Sequence, residues 1–174
     1  MNKPVPMLNR TLALLLPLLL AATPALAEVQ GRVVSVHDGD TLTVLMDQRQ
    51  VRVRLTDIDA PELGQPYGTR SRQSLSNLCF GKVASLDVRG HDRYKRVLAR
   101  VNCAGADANA EQVRRGYAWT FIRYVRPDSP LFAIEREARA AHRGLWQDPE
   151  PVAPWDWRTR IRQSARPTSS RTGF

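Results

Sequence analysis

The chain has 174 residues, with 26 Lys+Arg against 17 Asp+Glu and a formal charge of +9. That length suits one domain with a tail. A 43% hydrophobic content excludes a disordered chain, 12 Pro and 10 Gly exclude collagen-like and low-complexity proteins, and the basic excess points to polyanions: nucleic acid or an acidic membrane surface.

Residues 1–27 read as a secretory signal peptide. Lys3 and Arg10 are its positive end, Leu12–Leu20 is apolar apart from Pro17, and Ala25-Leu26-Ala27 is a small-x-small cleavage pattern. The apolar run is short for a transmembrane anchor. The mature chain is expected to be Glu28–Phe174, periplasmic or secreted, without stable membrane insertion and monomeric. Removing the signal leaves +7, of which Arg158, Arg160, Arg162, Arg166 and Arg171 supply +5 without a single acid. This stretch, Arg158–Phe174, is expected as a mobile basic tail. The body, residues 28–157, keeps +2 from 19 basic and 17 acidic residues, so its charges must be arranged rather than spread. The expected organisation is a domain over 28–146 and a Pro- and Trp-containing extension with the tail over 147–174, in which Trp155-Asp156-Trp157-Arg158 is expected to lash the C-terminus to the body.

The first half of the body alternates with period two. Val33, Val34 and Val36 mark one strand; Leu42, Val44 and Met46 share a face of a second; Val51, Val53 and Leu55 share a face of a third, which puts Arg52 and Arg54 on the other side. The polar 47–50 connection suits a hairpin. Leu75, Leu78 and Cys79 fall at helical spacing within 66–79, with Gly81 as a stop. Residues 82–89 and 96–101 are strand-like again, joined by a turn at His91-Asp92-Arg93-Tyr94-Lys95. Asp107 can cap a helix running to Gly116, and Ser129-Pro130 can start another that ends at Gly144. Five short strands and three helices predict an α+β protein: a five-stranded oligonucleotide-binding barrel with helices packed on it.

Cys79 and Cys103 are the two cysteines, and in an oxidising compartment they are a candidate disulfide worth roughly 3 kcal/mol. Two unpaired buried thiols are the alternative. Neither they nor His37, His91 and His142 form a zinc-ligand cluster.

Two acidic segments bracket the second and third strands: His37-Asp38-Gly39-Asp40-Thr41 and Asp57-Ile58-Asp59-Ala60-Pro61-Glu62. Asp-Gly-Asp alone is usually a turn, and it lacks EF-hand spacing. Together, the segments offer two hard carboxylates for Ca²⁺ or Mg²⁺ and a third to act on a water. Arg54, Arg93 and Arg96 could bind a phosphodiester and the extra charge of its pentavalent transition state.

Asp-Gly-Asp-Thr, then Arg-Leu-x-x-Ile-Asp-Ala-Pro-Glu, then Asp-Arg-Tyr-x-Arg, in this order and spacing, resembles the staphylococcal nuclease (thermonuclease) family. Asn109, Val113-Arg114-Arg115-Gly116 and Arg143-Gly144-Leu145-Trp146 extend the match over about residues 30–146. The resemblance implies a barrel of five strands with three helices and Ca²⁺-dependent endonucleolytic hydrolysis of DNA and RNA that leaves 3′-phosphate ends. By position it implies Asp40, Asp59 and the Ala60 carbonyl as Ca²⁺ ligands. Glu62 would be general base or positioner of the attacking water, and Arg54 and Arg96 would bind the scissile phosphate and transition state. Arg93, Tyr94, Lys95 and Tyr124 fall among substrate contacts, and Asp38 and Thr41 support the loop. Lys95 stands where the turn often has Gly, and Ile122 where the reference nuclease has another Tyr. The implied topology also brings Cys79 beside Cys103. Two other functions remain open on sequence: a non-catalytic oligonucleotide-binding barrel, and a basic surface protein working through its Arg tail.

Overall fold

The computed structural model describes residues 29–123 and 125–165. The signal segment 1–27, Tyr124 and the tail arginines Arg166 and Arg171 lie outside the described residues.

Five strands close into a barrel. They are β1 (Val29–Val36), β2 (Thr41–Met46), β3 (Arg49–Leu55), β5 (Val83–His91) and β6 (Val97–Cys103); the two-residue β4 (Ile58–Asp59) follows β3. The order β3-β2-β1-β5-β6 is antiparallel throughout, and a parallel pairing of β6 with β3 closes the ring. Asp47 and Gln48, both with positive φ, form the β2–β3 turn, a geometry that matches strand twist. The period-two faces are realised: Leu42, Val44, Val53, Leu55, Ala99 and Val101 are buried inside the barrel. Arg54, Leu98 and Arg100 alternate out of that core to line a groove on the barrel wall.

The three expected helices are present beside the barrel, and a fourth α-helix joins them among the described residues. Helix α1 is Gly68–Cys79 and α2 is Ala108–Arg114, the latter following the two-residue β7 (Ala106–Asp107). The Asp107 side chain accepts the Ala110 N–H at 3.0 Å, an N-cap. Helix α3 (Leu131–Ala140) begins where Ser129 Oγ accepts the Leu131 N–H. It stops before Gly144 because His142 turns to positive φ and redirects the chain into the 3₁₀ turn Gly144–Gln147. There the two Gly-containing motifs meet: Gly116 O accepts the Leu145 N–H at 2.8 Å. A Cβ on Gly116 would lie 2.0 Å from Arg143 O, so the crossing excludes any side chain.

The fourth helix, α4 (Pro154–Ser164), overturns part of the expected tail. That tail was placed from Arg158 onward, yet the chain is helical through Ser164. Pro154 occupies the first helical position, where its missing N–H costs nothing. Trp155 anchors the helix, stacking on Phe121 at 5.4 Å and meeting Trp119 edge-on at 5.7 Å; β8 (Trp119–Thr120) carries that tryptophan.

Cys79 and Cys103 are bonded, with Cα atoms 5.2 Å apart. Pairing of β5 with β6 sets Ala84 opposite Cys103, which brings the end of α1 to the end of β6. Reduction should therefore lower Tm: removing this cross-link costs about 3 kcal/mol on the loop-entropy account, read by calorimetry with and without reductant. An unchanged Tm would contradict that contribution.

Candidate active site

The Asp-Gly-Asp loop leads into β2, and its conformation depends on close packing. A Cβ on Gly39 would meet Ser71 Oγ of α1 at 1.8 Å and the Ala60 side chain at 2.7 Å. The buried Gln112 amide of α2 donates to Gly39 O at 2.7 Å and Ser71 O at 3.1 Å, tying loop, α1 and α2 together. Asn109, also buried, donates to Thr56 O at 2.7 Å and accepts the Val101 N–H at 3.0 Å, which fixes the strand end before the second acidic segment.

This frame brings the two acidic segments together. Asp40 and Asp59 are 6% and 1% exposed. Asp40 Oδ2 accepts the Ala60 N–H at 2.8 Å, Asp40 Oδ1 accepts from Thr41 Oγ1 at 3.0 Å, and Asp38 Oδ1 accepts the Asp40 N–H at 3.0 Å. Burial, with the Asp40 charge added, pushes the Asp38 carboxyl up to about 7. Burial likewise raises Asp59, against hydrogen bonds from Arg158.

Arg54 lies between these carboxylates. Its Nη1 is 3.4 Å from Asp40 Oδ2 and donates to Leu55 O and Ile58 O at 2.7 and 3.0 Å, and its Nη2 donates to Asp59 Oδ1 at 2.9 Å. Burial works against its charged form, but Asp40, Asp59 and Asp38 outweigh that and raise its pKa above the usual arginine value. In this arrangement Arg54 tethers the acid pair while lining the groove.

Arg96 enters from the turn before β6. Asp92 Oδ1 accepts the N–H groups of Tyr94 and Arg96 at 2.8 and 3.0 Å, while Asp92 Oδ2 accepts Arg96 Nε at 2.7 Å. Slight burial works against the charged form of Asp92, but these donors outweigh it and hold its carboxyl below the usual range. The clamp leaves the Nη end of Arg96 beside Thr41 Oγ1 at 3.4 Å. Lys95 holds a left-handed φ of 62°, the conformation that makes Gly frequent at such a position, and the turn closes with Lys there. Arg93 and Arg96 stand over the Tyr94 ring, at 4.9 and 5.6 Å from its centroid, and that ring is 65% exposed. Ile122 is 69% exposed.

The groove between this turn, the acidic segments and the 121–130 loop has a volume of about 1220 Å³. Asp38, Asp40, Arg54, Asp59, Ala60, Glu62, Arg93, Tyr94 and Arg96 line it; Thr41 reaches it through Asp40, and Lys95 is an exposed residue of the turn. Two groups escaped sequence reading. Asp92 carried a signal, an acid at the head of Asp-Arg-Tyr-x-Arg. Arg158, which bonds Asp59 and Glu62 from α4, carried none, since it sits among tail arginines.

Among the described residues no three His, Cys, Asp or Glu side chains are grouped as a ready metal cluster. The buried Asp40–Asp59 pair nonetheless demands cationic charge, which guanidinium groups supply here. The two carboxylates are hard oxygen donors of the kind a divalent cation takes.

A closed barrel with buried acids and clamped arginines along one groove defines an oligonucleotide-binding fold equipped for phosphodiester chemistry. Residues 52–148 match the family described as Staphylococcal nuclease homologue. The chain is 43% identical over 153 residues to Protein ParB of Escherichia coli, covering 82% of this chain and 86% of that protein. It is 41% identical over 150 residues to the micrococcal nuclease of Shigella flexneri, covering 80% and 86%. An uncharacterized endonuclease of Escherichia coli is 43% identical over 135 residues, covering 77% and 88%. The chain belongs to the staphylococcal nuclease family, a family of phosphodiester hydrolases.

Proposed function

We propose that this protein is an exported, divalent-metal-dependent endonuclease that hydrolyses DNA and RNA and leaves 3′-phosphate ends. The observation that carries the proposal is the juxtaposition of two buried carboxylates, Asp40 and Asp59, with clamped Arg96 on one groove of a staphylococcal nuclease barrel. A nucleic-acid binder has no use for buried acids in its groove, where they repel phosphate.

Asp40, Asp59 and the Ala60 carbonyl would hold the cation, for which Ca²⁺ is our choice. Bound there, it would neutralise phosphoryl oxygens and polarise the phosphorus. Arg54 and Arg96 bind the scissile phosphate and the equatorial charge of the transition state, and Arg54 also keeps the acid pair in register. Glu62 orients the attacking water and takes its proton. The water oxygen bonds to phosphorus, the bond from phosphorus to the 5′ oxygen breaks, the 5′ oxygen leaves as a hydroxyl with a proton from solvent, and Glu62 returns its proton to solvent. Arg93, Tyr94, Lys95 and Tyr124 contact the flanking nucleotides. The N-terminal pattern and the disulfide support export, because structural disulfides persist in oxidising compartments. No helix among the described residues is long and apolar enough to cross a membrane.

The test incubates the protein with DNA and RNA in Ca²⁺ or chelator and assays the ends. Cleavage in Ca²⁺ alone is expected, with 5′ ends that a polynucleotide kinase labels without prior phosphatase. Cleavage undiminished in chelator, or ends that label only after phosphatase, would contradict the proposal.

A further inference from the structure

Helix α4 lies outside the family-matched residues 52–148, yet it delivers a cation to the centre of the site. Arg158 Nη2 donates to Asp59 Oδ2 at 2.6 Å, and Nη1 donates to Asp59 Oδ1 at 3.3 Å and to Glu62 Oε1 at 2.8 Å. One guanidinium therefore joins a proposed metal ligand to the proposed water-handling acid. Its approach is built into the fold. Trp155, one turn earlier, is held against Phe121 and Trp119, and Gln65 Nε2 donates to Val152 O at 2.6 Å just before the helix.

Asp59 Oδ1 already accepts from Arg54 Nη2 and Arg158 Nη1, a full complement for one carboxylate oxygen. Oδ2, the oxygen left for another ligand, carries the shorter bond to Arg158. A divalent cation bound at Asp59 would face that guanidinium at close range, and like charges at such separations repel strongly. We infer that Arg158 is a built-in counter-cation that competes with the divalent metal for Asp59 and Glu62. It sets the metal affinity of the site. This rests on the metal-dependent reading above.

Calorimetric titration of Ca²⁺ into the purified protein, without nucleic acid, tests it. Arg158→Gln should bind Ca²⁺ about tenfold more tightly than wild type, the scale of one charge-assisted contact. Arg162 is the control: it is on the same helix and lines the groove, but its Nη2 donates to Thr159 Oγ1 rather than to an acid. Arg162→Gln should stay within about twofold, the effect of removing one screened charge. Arg158→Lys keeps the charge but loses the fork and should fall between, which preserves the comparison if Arg158→Gln does not fold. Equal Ca²⁺ affinity in wild type, Arg158→Gln and Arg158→Lys would overturn the competition alone. Absence of Ca²⁺ binding in every protein would overturn it together with the metal reading.

Discussion

Replacing Arg96 with alanine should lower kcat for DNA cleavage by about a hundredfold to a thousandfold, the usual cost of removing one preorganised transition-state donor. The side chain is one-quarter exposed and bonds mainly to Asp92, so Tm should move little. Arg96→Lys should recover only a small part of the rate. Lysine keeps a positive charge but cannot both hold Asp92 through Nε and present a planar pair of Nη donors. Asp92→Asn should act through Arg96, leaving the cation present but less well aimed, with a smaller fall in kcat. Plasmid cleavage kinetics with a parallel thermal melt separates these outcomes. A kcat for Arg96→Ala within about threefold of wild type would remove Arg96 from the transition state.

Arg54→Ala should produce the largest loss of stability among single substitutions at the site. Its guanidinium is 14% exposed and touches Asp40 at 3.4 Å and Asp59 at 2.9 Å, both carboxylates nearly fully buried. Removing one partner of a buried ionic cluster leaves uncompensated charge, a cost of about 3–5 kcal/mol. Urea unfolding in chelator measures it directly. Arg54→Lys should restore part of the loss, because charge returns while the donors to Leu55 O and Ile58 O do not both return. A loss below about 1 kcal/mol, the level of an exposed ion pair, would show that the acids do not depend on Arg54.

The barrel was legible because strand alternation is a local signal. Val53 and Leu55 could be assigned to the core, and Arg54 to the opposite face, from period two alone. The spacing of the acidic segments, with the resemblance, indicated which carboxylates meet, and the order of β5 and β6 made the cysteine pairing readable. What sequence could not supply was the partner of each charge. Period two put Arg54 opposite the core, because face is visible in a sequence, but its bonds to Asp40 and Asp59 are not. Two-residue strands such as β4 and β8 have no periodicity to read. The end of α3 depends on a crossing between Gly116 and Gly144, which are far apart in sequence. The docking of the Trp155–Arg158 stretch on the body was legible, but its helical form and its reach into the site were hidden. Helix α4 has the composition of a solvated tail, and its placement comes from Trp155 reaching Phe121 and Trp119 across the fold. The useful signal there was the tryptophan rather than the arginines, since a large aromatic in a polar stretch needs an apolar partner.

The overall charge takes on a different meaning with the site in view. The body is close to balanced, and its acids are concentrated where arginines meet them: Arg54 between Asp40 and Asp59, Arg158 on Asp59 and Glu62, Arg96 on Asp92. Arg54 and Arg158 stabilise buried negative charge in the absence of a metal, whereas Arg96 has its Nη end directed to the groove. Loss of Arg54 should therefore appear first in stability, and loss of Arg96 first in kcat.

Asp40 is the residue on which the proposed metal-dependent phosphodiesterase centre depends. Conversion of supercoiled plasmid by wild type and Asp40→Asn, at matched Ca²⁺ and with folding verified by circular dichroism, tests it most directly. A fall of about a hundredfold or more in rate for Asp40→Asn is expected, since the amide keeps the shape but loses the charge that holds the cation. Cleavage by folded Asp40→Asn at the wild-type rate would contradict the assignment.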